Sequence, residues 1–309
     1  MQNTEHFRIE SPTIVTIGTF DGVHIGHQKI LKRLLEIKEN TGFKTVVLTF
    51  EPHPRKVLFP EQKDLKLISL VDEKLELLEK YGVDVAVVYP FSKEFSQLDS
   101  DLYIRNILLK HLQVKHLVIG YDHKFGKNRS GDINTLKAFA PQGGFLLEEI
   151  PPQDIDSIAI SSSKIRKALE EGDIKLATEF LGHKFTLEGI VVKGKQLGRT
   201  LGYPTANINV ADPDKLIPKI GVYLVEVTVG SFNGHGMMSI GLNPTTDFDN
   251  TIKLEVNLFN FNEDIYDKTI KLKFVKRLRD EKKFANLTEL KSALDHDKET
   301  CLQLIGKTL

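Results

Sequence analysis

With a single cysteine, Cys301, in 309 residues, the chain can build neither an internal disulfide framework nor a cysteine-based zinc site. It has no excess of charge either: 42 basic residues balance 42 acidic ones, and no basic stripe stands out. Nucleic-acid proteins usually carry such a bias, so the sequence argues against a nucleic-acid partner. Long apolar runs are missing as well. None approaches the ~18–20 residues that span a bilayer, and the start of the chain lacks the basic-then-apolar order of a secretory signal. These absences predict a soluble, cytoplasmic protein with no membrane partner. Internal repeats and low-complexity tracts are also lacking.

What is present is ordinary globular composition, 40% hydrophobic and 27% charged, in a chain long enough for two domains. Up to about residue 183, strand-like runs at 13–18, 45–50, 83–89, 116–120 and 145–150 alternate with helical patterns at 26–38, 72–80, 101–111 and 132–140. That alternation predicts an α/β domain with a doubly wound parallel sheet. Two short helices follow at 163–171 and 174–181, stopped by Gly172 and Gly182. Beyond them, strands at 186–192, 222–229, 235–240, 251–259 and 269–276 follow one another without helices. They predict an antiparallel meander closed into a β-barrel, with a hairpin turn at Asn233-Gly234 and a flanking helix at 287–305. The domains are therefore expected at 1–183 and 184–309.

The first site candidate runs from Gly18 through Phe20, Asp21, Gly22, His24 and Gly26 to His27. It leaves a strand, turns through glycines and enters a helix whose open N-terminus presents N–H groups and a positive dipole end, suited to phosphate. His24 and His27 are three apart, so both can reach one side of the cradle. Alone, the pair also fits two surface histidines or half of a metal site. A second segment, Ile160-Ser161-Ser162-Ser163-Lys164-Ile165-Arg166, offers hydroxyls for a cap or a phosphate and a guanidinium that matches phosphate geometry.

A third candidate, Gly198-Arg199-Thr200-Leu201-Gly202-Tyr203-Pro204-Thr205-Ala206-Asn207, places Thr205 and Asn207 on one face of an extended segment. Their oxygens suit Mg²⁺, which also binds substrate phosphates. The preceding run from Gly189 to Gln196 is a near miss to a P-loop and is rejected, since Gln196 cannot supply the metal-binding hydroxyl.

The first two segments resemble the His-x-Gly-His and Ile-Ser-Ser-Thr-x-Ile-Arg motifs of the nucleotidylyltransferase superfamily, with Ser163 in place of Thr. The segments at 49–55 and 120–126 resemble the prokaryotic FAD synthetase module, and the third candidate resembles the signature of riboflavin kinases. Together, and in order, they are similar to the prokaryotic bifunctional riboflavin kinase/FAD synthetase family. That resemblance implies an ATP-dependent phosphorylation of riboflavin to FMN, then adenylylation of FMN to FAD with release of pyrophosphate. It implies catalytic roles for His24, His27 and Glu255, the last as base for the riboflavin alcohol. Nucleotide contacts would fall to Gly18, Phe20, Asp21, Gly22, Gly26, Ser161, Ser163, Arg166, Gly198, Thr205 and Asn207. Flavin contacts would fall to Pro52, His53, Pro54, Asp122, Phe125 and Arg279, and the metal ligands would be Thr205 and Asn207. The chain departs from the family at Asn257 and Asn260, where His and Asp are usual, and at Thr246, where Phe is usual. Those departures keep a second reading open: a monofunctional FAD synthetase with a non-catalytic, flavin-binding barrel.

Overall fold

A computed structural model describes residues 7–62, 64–121, 123–151, 160–194, 197–242 and 252–306. The chain divides into two compact units, Met1–Ser162 and Ser163–Leu309.

In the first unit, β1 (Thr13–Ile17), β2 (Lys44–Glu51), β3 (Val85–Pro90), β4 (Val114–Gly120) and β5 (Leu146–Ile150) form a parallel sheet of order β3-β2-β1-β4-β5. Strand order reverses at β1, and crevices at such switch points, outside the strands' carboxyl ends, are where open α/β sheets bind ligands. The helix α1 (Ile25–Thr41) lays Ile30, Leu34 and Ile37 against Ile14, Val118 and Ile150. The opposite face of the sheet, from Val15, Ile17, Val46 and Leu48, enters the larger core. This is the period-two alternation of a strand covered on both sides. The connection from β2 to β3 carries both α2 (Pro54–Leu58) and α3 (Val71–Lys80). The helix expected at 101–111 is present as Ser100–Tyr103 continuing into Ile104–His111, which is wound with i→i+5 bonds and buries Ile104, Ile107 and Leu108.

The second unit is a closed barrel of β6 (Thr186–Val192), β7 (Ala206–Asn209), β8 (Gly221–Val229), β9 (Phe232–Leu242), β10 (Ile252–Leu258) and β11 (Thr269–Arg279), in the order β10-β7-β6-β11-β8-β9. It is not a simple meander, because β11 lies between β6 and β8. The strand that closes it, β7, is absent from the sequence-based assignment. Its four residues bury only Ala206 and Ile208, too short a pattern to register as a strand. The hairpin turn also moves. Val229 pairs with Phe232, so the two-residue loop is Gly230-Ser231, with Gly230 at φ 57°, and Asn233-Gly234 lies inside β9. A glycine followed by serine is itself a two-residue hairpin signal. Asn233 instead accepts a bond from the Thr228 hydroxyl across the ladder, at 2.9 Å.

Helices Ser162–Glu171 and Ile174–Leu181 precede the barrel, and the second packs on β11. The C-terminal helix Leu287–Gly306 buries Cys301 against Tyr203, Val222 and Met237, which pushes the thiol pKa up to about 12. Among the described residues, no helix is long and apolar enough to cross a membrane.

Candidate active sites

The turn from β1 to α1 is held in a conformation few side chains adopt. Phe20, Gly22 and Val23 all have positive φ, at 49°, 80° and 38°. For a β-branched residue such as Val23 that is a strained backbone, and strain of this kind persists only where the surroundings over-determine it. Here they do. Phe20 and Val23 are buried with Leu31, Val47 and Leu78. Asp21, only 2% exposed, accepts bonds from the Ile68 and Ser69 N–H groups, both at 3.0 Å, and Gly22 N–H donates to the Ser69 hydroxyl at 2.8 Å. Gly18 closes β1 by donating to the Leu48 carbonyl, and Gly26 is buried in the first turn of α1. The Asp21 side chain thus builds the turn that presents any nucleotide-binding groups.

His24 occupies the N-cap of α1, and its ring stacks on that of His27, centroids 3.7 Å apart. Phe20 covers the other ring at 4.8 Å. Burial, the neighbouring His24 and the charge of Lys74 together hold the His27 pKa well below the usual histidine value. The ring is therefore uncharged at neutral pH. The positive charge comes from elsewhere: Lys74 of α3 is 5% exposed and donates to the Thr19 carbonyl and the Thr49 hydroxyl, each at 3.1 Å. The helical register gives the signal that could have found it. Lys74 sits four residues before Leu78, on the apolar stripe of α3, where a solvated lysine has no reason to be.

The serine segment joins this turn through a residue not singled out from the sequence. The Ser162 hydroxyl donates to the Asp21 carbonyl at 3.1 Å. Ser161 and Ser163 are exposed on either side of it; Arg166 is buried in the helix that follows, within the second unit.

In the segment at 49–55, His53 caps α2, its Nδ1 accepting from the Arg55 N–H at 3.2 Å, with Pro54 as the first helical residue and Pro52 exposed before it. Phe125 is 7% exposed and stacked near Tyr103 and His123, at the end of a run of rings that continues through Phe95 to Phe50 and Phe91. Phe50 belongs to the segment at 49–55; Phe91 and Phe95 were not singled out from the sequence, and each alone reads as core. Asp122 lies outside the described residues, as do Thr246 and the loop from Asn243 to Thr245.

In the second unit a cavity of about 250 Å³ opens between the barrel and its C-terminal helix, with Thr205, Glu255, Asn257 and Arg279 on its wall. Antiparallel pairing sets Glu255 of β10 directly opposite Asn207 of β7, so the two side chains project to the same side of the sheet. Thr205, two residues before Asn207, follows on that face. The turn leading into it needs a glycine: a Cβ on Gly198 would lie 2.2 Å from the Tyr203 carbonyl oxygen, which the chain passes closely. Hydroxyl and amide oxygens beside a carboxylate form a donor set that fits Mg²⁺ carrying substrate phosphates.

Three partners complete this wall. Lys253, two residues before Glu255 on the same face of β10, pairs with it at 2.8 Å. The Asn257 amide donates to the Pro204 carbonyl at 2.7 Å, so this departure from the usual histidine still reaches the segment that bears Thr205. Asn260, the second departure, follows β10 at φ 55°, a left-handed position that asparagine tolerates well. Arg279 grips Asp297 of the C-terminal helix through Nε and Nη2, at 2.7–3.0 Å, and Asp297 is 3% exposed. Its guanidinium thereby joins the helix to the barrel, and Arg279 also lines the cavity.

Residues 6–164 match the FAD synthetase family and residues 181–305 match the riboflavin kinase family. The chain is 38% identical over 294 residues to a bifunctional riboflavin kinase/FMN adenylyltransferase of Listeria monocytogenes, covering 95% of this chain and 93% of that protein. It is 35% identical over 298 residues to one from Bacillus subtilis, covering 95% and 93%. A crystal structure named as a macrolide-efflux protein from Streptococcus pneumoniae superposes with a TM-score of 0.87 at 31% identity, over 97% of each chain. Two family matches in tandem and relatives alike from end to end place this chain in the bifunctional riboflavin kinase/FMN adenylyltransferase family.

Proposed function

We propose that the cavity beside Glu255 phosphorylates riboflavin to FMN, and that the cradle at His24 and His27 then adenylylates FMN to FAD. The observation that supports both halves is that each matched module keeps its own set of phosphate-handling groups, with Asn257 taking up a bond to the metal-binding segment. In the kinase half, Glu255 takes the proton from the primary alcohol of riboflavin as the alcohol oxygen attacks the γ-phosphorus of ATP; the bond from that phosphorus to the β,γ-bridging oxygen breaks and ADP leaves. Lys253 holds that carboxylate in place, and the Asn257 bond to Pro204 holds Thr205 and Asn207 as ligands for Mg²⁺. When bound, Mg²⁺ would neutralise charge on the transferring phosphoryl group.

In the adenylylation half, a phosphate oxygen of FMN attacks the α-phosphorus of a second ATP and pyrophosphate leaves. The N–H groups at the start of α1 and the uncharged His27 meet the charge that builds on the α-phosphate. Pro52, His53, Pro54 and Phe125 border the flavin, with Asp122 as a polar contact. Gly18, Phe20, Asp21, Gly22, Gly26 and Ser161 are the nucleotide contacts proposed within the first unit, and the family motif adds Ser163 and Arg166 as phosphate-binding residues. The boundary between the modules falls in the helical stretch before residue 184. Chromatography of the flavins formed from riboflavin, ATP and Mg²⁺ tests the reading: FMN appears first and FAD follows. FAD made only from supplied FMN would mean that the barrel binds flavin without catalysis.

A further inference from the structure

We propose that Lys74 is the positioning residue of the adenylylation cradle: its buried ammonium grips the Thr19 carbonyl and so fixes the strained turn over which the α-phosphate is attacked. This inference rests on the functional reading of the cradle given above. Lys74 bonds to two neutral oxygens, and the Thr49 hydroxyl donates at 3.0 Å to the same Thr19 carbonyl, so two mutually bonded donors converge on one peptide. Thr19 lies between Gly18, the last anchor of β1, and Phe20, the first residue of the turn with positive φ. Loosening that peptide would release Phe20 and Asp21 from the geometry that aims the N–H groups at the start of α1.

A buried ammonium is costly unless paired. Lys74 forms no ion pair among the described residues, and its two bonds leave one N–H without an acceptor. Burial lowers its pKa, and the charges of Asp21, in the turn, and Glu51, at the end of β2, partly offset that. An anionic phosphate in the cradle is the counter-charge that this arrangement lacks. The same ammonium, with burial and the stacked His24, disfavours the protonated form of His27, whose other ring neighbour is the uncharged Phe20. Lys74 therefore divides the labour: it carries the charge, and His27 remains a neutral donor.

The test uses the full chain with Lys74→Met, which keeps length and removes both bonds and charge, and Lys74→Gln, which keeps one donor. Riboflavin phosphorylation by the second unit reports that each variant remains folded there. Lys74→Met is expected to lower kcat for FAD formation on the order of 100-fold, with the KM for ATP changed by less than about fivefold, and Lys74→Gln to recover part of the loss. In both, the His27 ring titrates at higher pH by NMR, and the acid limb of the pH profile for FAD formation moves up with it. A structural filler would change stability and leave that titration alone. FAD formation within about threefold of wild type in Lys74→Met, or an unmoved His27 titration in either variant, overturns the proposal. If Lys74→Met does not fold, the titration and pH profile of Lys74→Gln decide it. Wild-type protein that makes no FAD would overturn the functional reading itself, a separate result.

Discussion

Around the first site, positive charge is supplied by the polypeptide: backbone N–H groups at the head of α1 and the buried Lys74, with an uncharged His27 between them. Around the second, Lys253 is paired with Glu255 and Arg279 with Asp297, beside a hydroxyl and an amide, so on the proposed reading a cation bound from solution opposes the phosphates. The means of holding each site differ in parallel. The cradle is a strained turn clamped by core side chains and by Asp21, whereas the kinase wall is a pair of strands whose register alone sets Asn207 beside Glu255. A strained turn needs a rigid core behind it; a strand pair needs only closure of the barrel.

The sharpest way to break this comparison is to remove one site at a time. Glu255→Ala should lower FMN formation by roughly 10²–10⁴-fold while FAD formation from supplied FMN persists. His27→Ala should do the reverse. If either substitution abolishes both reactions in a folded protein, the two sites are not independent. Removal of Mg²⁺ by chelation bears on the same point, with riboflavin phosphorylation expected to stop.

Stability effects come next, and they differ between the units. Arg279→Ala leaves Asp297 buried without its partner and should cost roughly 3 kcal/mol, read as a lower urea midpoint for the second unit. In the first unit, burial lowers the pKa of His123 to about 4, and its Nε2 has no hydrogen-bond partner. The unfolded chain takes up that proton near pH 6.5, while the folded chain refuses it until about pH 4. Stability present above pH 6.5 is thus lost as pH falls through this window, by about 2 kcal/mol after allowing for partial exposure. FAD formation should fail at mild acid pH before FMN formation does, and His123→Phe should flatten that loss.

Much of this was legible in the sequence, for reasons that particular residues make plain. Alternating β and α patterns announced the parallel sheet, and the two glycine-bearing motifs marked both sites, because their backbone demands show in residue type. Lys74 was not legible, since one lysine in an amphipathic helix reads as solvated until its stripe is aligned with Leu78. The strand β7 escaped because Pro204 and its glycine-rich approach look like a turn; only pairing with β6 and β10, distant in sequence, makes it a strand. Arg279 was placed from resemblance as a flavin contact, while its bidentate hold on Asp297 depends on a helix that follows it by several residues. Long-range pairing is the common element in the last two.

The smallest effect separates the two ways of holding a site most finely. Asn257 donates to the Pro204 carbonyl at 2.7 Å, and that one bond ties β10 to the segment bearing Thr205. A single neutral hydrogen bond contributes ~0.5–1.5 kcal/mol, which is two- to tenfold in an equilibrium constant. Asn257→Ala should therefore raise the Mg²⁺ concentration needed for half-maximal FMN formation by about fivefold, with FAD formation unchanged. Asn257→His offers a donor at the same place and should restore most of the affinity. A Mg²⁺ dependence that stays put in Asn257→Ala would mean that register between β7 and β10 holds Thr205 and Asn207 without help. The kinase site would then be the more rigid of the two, since the cradle depends on several bonds through Asp21, Ser69 and Lys74 to keep one turn in shape.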